Sequence, residues 1–215
     1  MQYPLNMDLG GQSCVVVGGG PVAQRKTATL LLADADVTVI APQLTPKLSA
    51  LAAADALHWL AQPYRAGLLG VLHPRLVFCA TDDPAVNQQA AAEAKTLGAL
   101  VNAAAQPELS DFTVPASLRR GDVLFTVSTE GKSPALSRIL RQQLEEYFPE
   151  ELGLWLERVH VLRDRMKREL STSEARQAFW RRVLDKRVLS LVEAGQLDQA
   201  EVEIQNAITD FGAES

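Results

Sequence analysis

Apolar and polar positions switch between two periods along the first half of the chain. Ser13–Val17 is a short apolar run rich in β-branched residues, the pattern of a strand buried on both faces. Gly18-Gly19-Gly20 follows it, and Val22–Ala33 then carries the Ala/Leu-rich spacing of a helix. Val37–Ala41 predicts the next strand, stopped by Pro42, and Pro46–Ala56 predicts a helix. A short strand is expected around Trp59 and Leu60, and another over Leu76–Ala80. Asp83-Pro84 opens a helix that runs to about Leu97: an aspartate accepts from free amide groups there, and proline suits the first turn. Gly98 ends that helix, and Leu100–Ala103 predicts one more strand. Strands alternating with helices imply right-handed crossovers and a parallel sheet.

Beyond residue 111 the pattern changes. Phe112–Pro115, Ser117–Arg119 and Val123–Ser128 predict strands, the last two joined by Arg120-Gly121-Asp122 and therefore antiparallel. Ser133 is a candidate cap for a helix from Pro134 to about Phe148. From Glu151 onward only helical periodicity is present. Leu152, Trp155, Leu156, Val159 and Leu162 form one stripe. Further helices are expected over 172–187, Leu189–Glu193 and Asp198–Ile208. The fold class is α/β: an N-terminal Rossmann-type parallel sheet, a small α+β segment and a C-terminal helical region. The expected divisions are 1–113, 114–150 and 151–215.

The chain has 215 residues, 47% hydrophobic and 22% charged, the mix of a globular domain rather than a disordered or membrane chain. No apolar run approaches the roughly 18–20 residues that span a bilayer, and Met1–Asp8 lacks the form of a secretion signal, so a cytoplasmic location is expected. Cys14 and Cys79 both fall in strand-like runs and read as buried thiols, and the three histidines are scattered, so no metal site is expected. The net charge of −5 conceals a strong asymmetry. Residues 151–187 hold 10 Lys/Arg and 6 acids, whereas residues 188–215 hold 6 acids and no base. The basic block reads either as a solvated helix face with i,i+4 pairs, such as Asp164 with Arg168, or as a cradle for a polyanion. Nucleic acid fits poorly, because the chain is acidic and only Phe179 and Trp180 interleave the block.

The chemistry begins at Gly18-Gly19-Gly20-Pro21-Val22-Ala23, which matches the dinucleotide fingerprint G-x-G-x-x-[G/A] in its proper strand-turn-helix context. Gly18 allows the tight turn, Gly20 lets a pyrophosphate approach the backbone, and Ala23 lets the helix pack closely. The diphosphate would rest on the helix N-terminus, where free N–H groups and the helix dipole favour negative charge. The acid that usually ends the second strand is absent from Val39-Ile40-Ala41-Pro42-Gln43, and no arginine stands there for a 2′-phosphate. NAD is favoured over NADP.

Gly18 through Lys26 resembles the G-G-G-x-V-A-x-R-K signature of the precorrin-2 dehydrogenase family, which includes the dehydrogenase module of siroheme synthase. Ala80-Thr81-Asp82-Asp83 with Val86-Asn87, Val101-Asn102-Ala103-Ala104 with Asp111-Phe112, and Ser128 through Ser137 match further family segments in order. The resemblance implies NAD-dependent oxidation of precorrin-2 to sirohydrochlorin by a homodimer. In some members it also implies sirohydrochlorin ferrochelatase activity. It places Gly18, Gly20, Pro21, Val22, Ala23, Pro42, Gln43, Thr81 and Asp82 at the cofactor, and Asn102, Ser128, Lys132 and Ser133 at the substrate. The middle segment would form the dimer and the helical region would help enclose the tetrapyrrole. One departure matters: the family aspartate credited with catalysis is replaced by Ala105, which can neither move a proton nor hold a metal. The chain is then an inactivated variant, the reading favoured by its otherwise intact motif, or a natural member that uses another group. A non-catalytic sensor of NAD and a tetrapyrrole is the alternative.

Overall fold

A computed structural model of the chain describes residues 2–170 and 172–213. The chain divides into two compact units, 3–114 and a second unit formed by 115–215 together with the first residues of the chain.

The first unit is a five-stranded parallel sheet in the order β3-β2-β1-β4-β5. Its strands are β1 (Ser13–Val17), β2 (Asp36–Ile40), β3 (His58–Leu60), β4 (Leu76–Cys79) and β5 (Leu100–Ala103). Its helices are α1 (Pro21–Leu31), α2 (Pro46–Ala53), α3 (Leu68–Leu72) and α4 (Pro84–Thr96). The apolar runs are continuous because both sheet faces are covered. Cys14 and Val16 point into one core with Ala23, Leu30 and Leu48, while Val15 and Val17 point into the other with Leu69, Ala90, Ala91 and Ala94. The small residues of α4 recur at helical spacing, so this helix lies close on the sheet. From β1 the chain steps outward to β2 and β3, then returns to the other side of β1 for β4 and β5, so the direction of winding reverses between β1 and β4.

The strand expected over Phe112–Pro115 is not formed. Phe112 instead sets its ring edge-on to Phe78 at 5.6 Å, and its carbonyl oxygen accepts from the Asn102 side chain at 2.9 Å. The Phe112 ring and this side-chain bond help to anchor the segment without a backbone ladder.

The second unit opens with a hairpin, β6 (Ala116–Arg120) and β7 (Val123–Val127). Five helices follow: α5 (Pro134–Tyr147), α6 (Glu151–Glu169), α7 (Ser173–Val183), α8 (Lys186–Glu193) and α9 (Leu197–Ala213). Trp155, Leu162, Met166, Phe179, Val192 and Ile204 make its core. The single helix expected over 172–187 is two. Leu184 leaves helical geometry at ψ 61°, and the Asp185 carboxylate accepts from the Val188 amide at 3.0 Å, capping a new helix.

Candidate functional site

The turn after β1 is pressed between two neighbouring loops. Gly18 adopts φ +123°, a conformation that side chains avoid, and a Cβ there would stand 2.5 Å from the Ala80 carbonyl oxygen. A Cβ on Gly19 would stand 1.9 Å from the Gln43 carbonyl oxygen. On Gly20 a Cβ would meet nothing within 4 Å. Gly20 is also the N-cap of α1, no side chain caps it among the described residues, and Pro21 brings no N–H. The first turn holds no acid, and Ala23 is fully buried against the sheet. Open space beside the uncapped amides of Val22 and Ala23, at the switch between β1 and β4, has the shape and polarity of a diphosphate cradle. The residues present therefore fit a dinucleotide.

The wall on the β2 side is the loop of Pro42 and Gln43, both exposed. It is tied to the glycine turn by the Thr45 amide, which donates to the Gly19 carbonyl at 3.0 Å, and by the Thr45 hydroxyl, which donates to Gln24 Oε1 at 2.7 Å. The wall on the β4 side is Thr81–Asp83. The Thr81 amide donates to Asn87 Oδ1 at 3.1 Å, Asn87 Nδ2 donates to the Thr81 carbonyl at 3.0 Å, and the Thr81 hydroxyl lies 2.8 Å from Asn87 Oδ1. Asp83 caps α4 through the Ala85 and Val86 amides, as its sequence position predicts. Asp82 is exposed beside it. The structure thus gathers Gly18, Gly20, Pro21, Val22, Ala23, Pro42, Gln43, Thr81 and Asp82 around one crevice of the first unit.

Beside them, at the end of β5, lies the stretch from Asn102 to Ala105. Asn102 is buried and one N–H of its side chain donates to the Phe112 carbonyl, while Ala105 is exposed. Asp111, the nearby acid, is occupied: Oδ2 accepts from the Val101 amide at 2.9 Å and Oδ1 pairs with Lys95 at 3.2 Å. It serves as a tether for β5. Burial, with Arg25 nearby, lowers the Lys26 pKa, and its ammonium group stands 5.4 Å from the centre of the Phe78 ring. Burial pushes the Cys79 and Cys14 thiols up to about 11, so both stay protonated and inert.

Ser128, Lys132 and Ser133 belong to the second unit. The Ser128 hydroxyl accepts from the Glu130 amide at 3.2 Å, the Ser133 hydroxyl caps α5 through the Leu136 amide at 3.2 Å, and Lys132 is exposed. Two arginines of the basic block answer the acidic segment that follows it. Arg158 pairs with Asp198 at 2.7 Å and Glu201 at 3.0 Å, and Arg187 pairs with Glu203 at 2.6 Å. Asp164 pairs with Lys167 at 2.8 Å, one residue short of the expected Arg168. Arg120 donates to the Phe148 and Glu145 carbonyls at the end of α5. Sequence reading gave no role to Asn87 or Thr45. The available signals were the family segment that ends in Val86-Asn87 and the place of Asn87 on the helix face otherwise formed by Ala90, Ala91 and Ala94.

A family model described as NAD(P)-binding, NAD_binding_7, matches residues 5–116. A second, "Sirohaem biosynthesis protein central", matches residues 126–147, and a third, "Sirohaem synthase dimerisation region", matches residues 151–208. By the first model, which covers more than half of its length, the chain belongs to this NAD(P)-binding family. Among its relatives, siroheme synthase 1 of Klebsiella pneumoniae subsp. pneumoniae is 39% identical over 97% of this chain and 44% of its own length. Siroheme synthase of Thioalkalivibrio sulfidiphilus is 36% identical over 96% of this chain and 42% of its own. The chain thus spans less than half the length of these siroheme synthases. The solved structure titled "SirC, precorrin-2 dehydrogenase" shares the fold, with a TM-score of 0.74 at 23% identity over 95% of this chain and 100% of that one. The third model's name puts dimerisation on 151–208, whereas the sequence reading put it on 114–150. Among the described residues no helix is long and apolar enough to cross a membrane, and no cluster of three or more His, Cys, Asp or Glu could hold a metal ion.

Proposed function

We propose that this chain binds NAD at the crevice between β1 and β4 and that its architecture serves the oxidation of precorrin-2 to sirohydrochlorin. The observation that carries the reading is the empty space at Gly20 beside the uncapped start of α1, flanked by glycines that admit no side chain. The amides of Val22 and Ala23 hold the diphosphate. The loop of Pro42 and Gln43 lies along the ribose that NADP would phosphorylate, and it offers no base, which favours NAD. Thr81 and Asp82 bound the opposite half of the crevice. When bound, the nicotinamide accepts the hydride that the substrate gives up.

The substrate is a ring bearing many carboxylates. Lys132 and the exposed Arg119 and Arg138 suit such groups, with Ser128 and Ser133 beside Lys132 and Asn102 near Ala105. The division into an NAD-binding part (1–113), a dimer-forming part (114–150) and a tetrapyrrole-binding part (151–215) belongs to the same reading. So does a homodimer, which the dimerisation model supports, although it lies over 151–208 and not over the 114–150 part; a monomer in sedimentation at micromolar concentration would remove it.

Oxidation also releases a proton, and Ala105 cannot take it. Asp111, already bound to Lys95 and the Val101 amide, is no substitute. This favours a second reading of the chain as it stands: an inactivated dehydrogenase, or a sensor that holds both ligands without turnover. Ala105→Asp separates them. With precorrin-2 and NAD⁺, followed by NADH and sirohydrochlorin absorbance, the substitution is expected to raise turnover by about 10²–10⁴. Equal turnover before and after it would require another base. Binding of both ligands with no turnover in either protein would leave the sensor.

A further inference from the structure

We propose that Asn87 is a positioning residue for the nicotinamide half of the cofactor, acting through the Thr81 peptide. The proposal rests on the dinucleotide reading above. Asn87 is buried at 2% exposure and lies in the second turn of α4, where a polar side chain has no place in a helix otherwise faced with alanine. Its single amide satisfies both backbone groups of Thr81. Oδ1 accepts the Thr81 N–H at 3.1 Å, and Nδ2 donates to the Thr81 C=O at 3.0 Å. Thr81 follows β4 just where the backbone leaves the sheet, so Asn87 replaces the partners that a neighbouring strand would supply. These two bonds also fix which end of the amide is which, since the reverse orientation would set donor against donor.

The peptide held in this way borders the glycine turn. The carbonyl of Ala80, the preceding residue, is the group that a Cβ on Gly18 would strike at 2.5 Å. The Thr81 hydroxyl extends the lock, lying 2.8 Å from Asn87 Oδ1 and 3.0 Å from the Asp83 carbonyl. The other wall has its own lock in Thr45 and Gln24, which shares no atom with this one. In a doubly wound sheet the adenosine ribose lies at the end of the second strand, so the nicotinamide half falls across the switch, over β4. Releasing the Thr81 peptide therefore disturbs one half of the crevice and spares the other.

Calorimetric titration of the full chain with NAD⁺ and, separately, with ADP tests this. ADP carries the adenosine half and the diphosphate but no nicotinamide. Asn87→Leu keeps the branched shape and the number of side-chain heavy atoms and removes the bonds to Thr81. It is expected to weaken NAD⁺ roughly tenfold while ADP affinity stays within about twofold. Asn87→Asp keeps the acceptor, loses the donor to the Thr81 carbonyl and is expected to show the same selective loss, so it carries the test if the leucine variant does not fold. Unchanged NAD⁺ affinity in a folded variant would overturn the assignment. So would equal weakening of NAD⁺ and ADP, which is what a merely structural asparagine would give. A parent protein that takes up neither probe overturns the dinucleotide reading itself, and the assignment with it.

Discussion

A methyl group added at Gly19 would stand 1.9 Å from the Gln43 carbonyl oxygen, while one added at Gly20, the next residue, would meet no atom within 4 Å. The two glycines look alike in the fingerprint and do opposite things. Gly19→Ala is expected to lower stability by about 2 kcal/mol or more, read as a clear drop in thermal midpoint, because the β2 loop must move away. Gly20→Ala is expected to stay within about 1 kcal/mol of the parent, since a cap loses little there, yet to weaken NAD⁺ binding severalfold or more by filling the diphosphate space. The reverse pattern in melting and titration experiments would mean that the open space is not the cradle. The fingerprint was legible because it is local: a strand, a turn and a helix start within eleven residues of one another. Asn87 was not, because its meaning lies in the Thr81 peptide it faces across a loop, and sequence spacing carries no sign of that.

Among the elements, the five strands of the parallel sheet were legible, whereas the strand expected over Phe112–Pro115 is absent and the shortest helix gave no signal. Ser13–Val17 and Leu100–Ala103 form strands over the very residues that their mainly apolar runs mark, since a strand covered on both faces is mostly apolar. α3 spans only Leu68–Leu72, too short to show a period. It is set by Glu93 on α4, whose carboxylate accepts from the Gly67, Leu69 and Gly70 amides and from the Tyr64 hydroxyl. Burial raises the Glu93 pKa, but these four donors outweigh it and hold the carboxyl below its ordinary value. A group lowered on folding contributes stability above its unfolded pKa and loses it as pH falls through the folded one. The Glu93 contribution is therefore full above about pH 5 and fades as the pH drops below about 4. Glu93→Gln is expected to lower the thermal midpoint at pH 7 and to flatten the acid limb of the stability profile. An unchanged profile would mean that Glu93 does not hold α3. The break at Leu184 escaped notice for a related reason: the Asp185 cap that starts α8 sits inside an unbroken helical pattern.

At the scale of the whole molecule, charge changes meaning once the fold is known. The excess of bases over 151–187 and the base-free acidic stretch after it are two sides of one bundle, joined where α6 and α8 meet α9 through Arg158 and Arg187. Such exposed pairs add little to stability, so the bundle rests on its apolar core and the pairs chiefly match the helix faces. The bases so engaged are not the ones to expect at substrate carboxylates. The parallel sheet, its winding reversal and the glycine turn together give the first unit one place where a dinucleotide can lie, and everything proposed for the chain depends on that place being used. Calorimetric titration of the unmodified chain with NAD⁺ tests it most directly. The account predicts saturable binding that is lost or strongly weakened in Gly20→Ala. Absence of heat with both NAD⁺ and NADP⁺, or binding indifferent to Gly20, would contradict it.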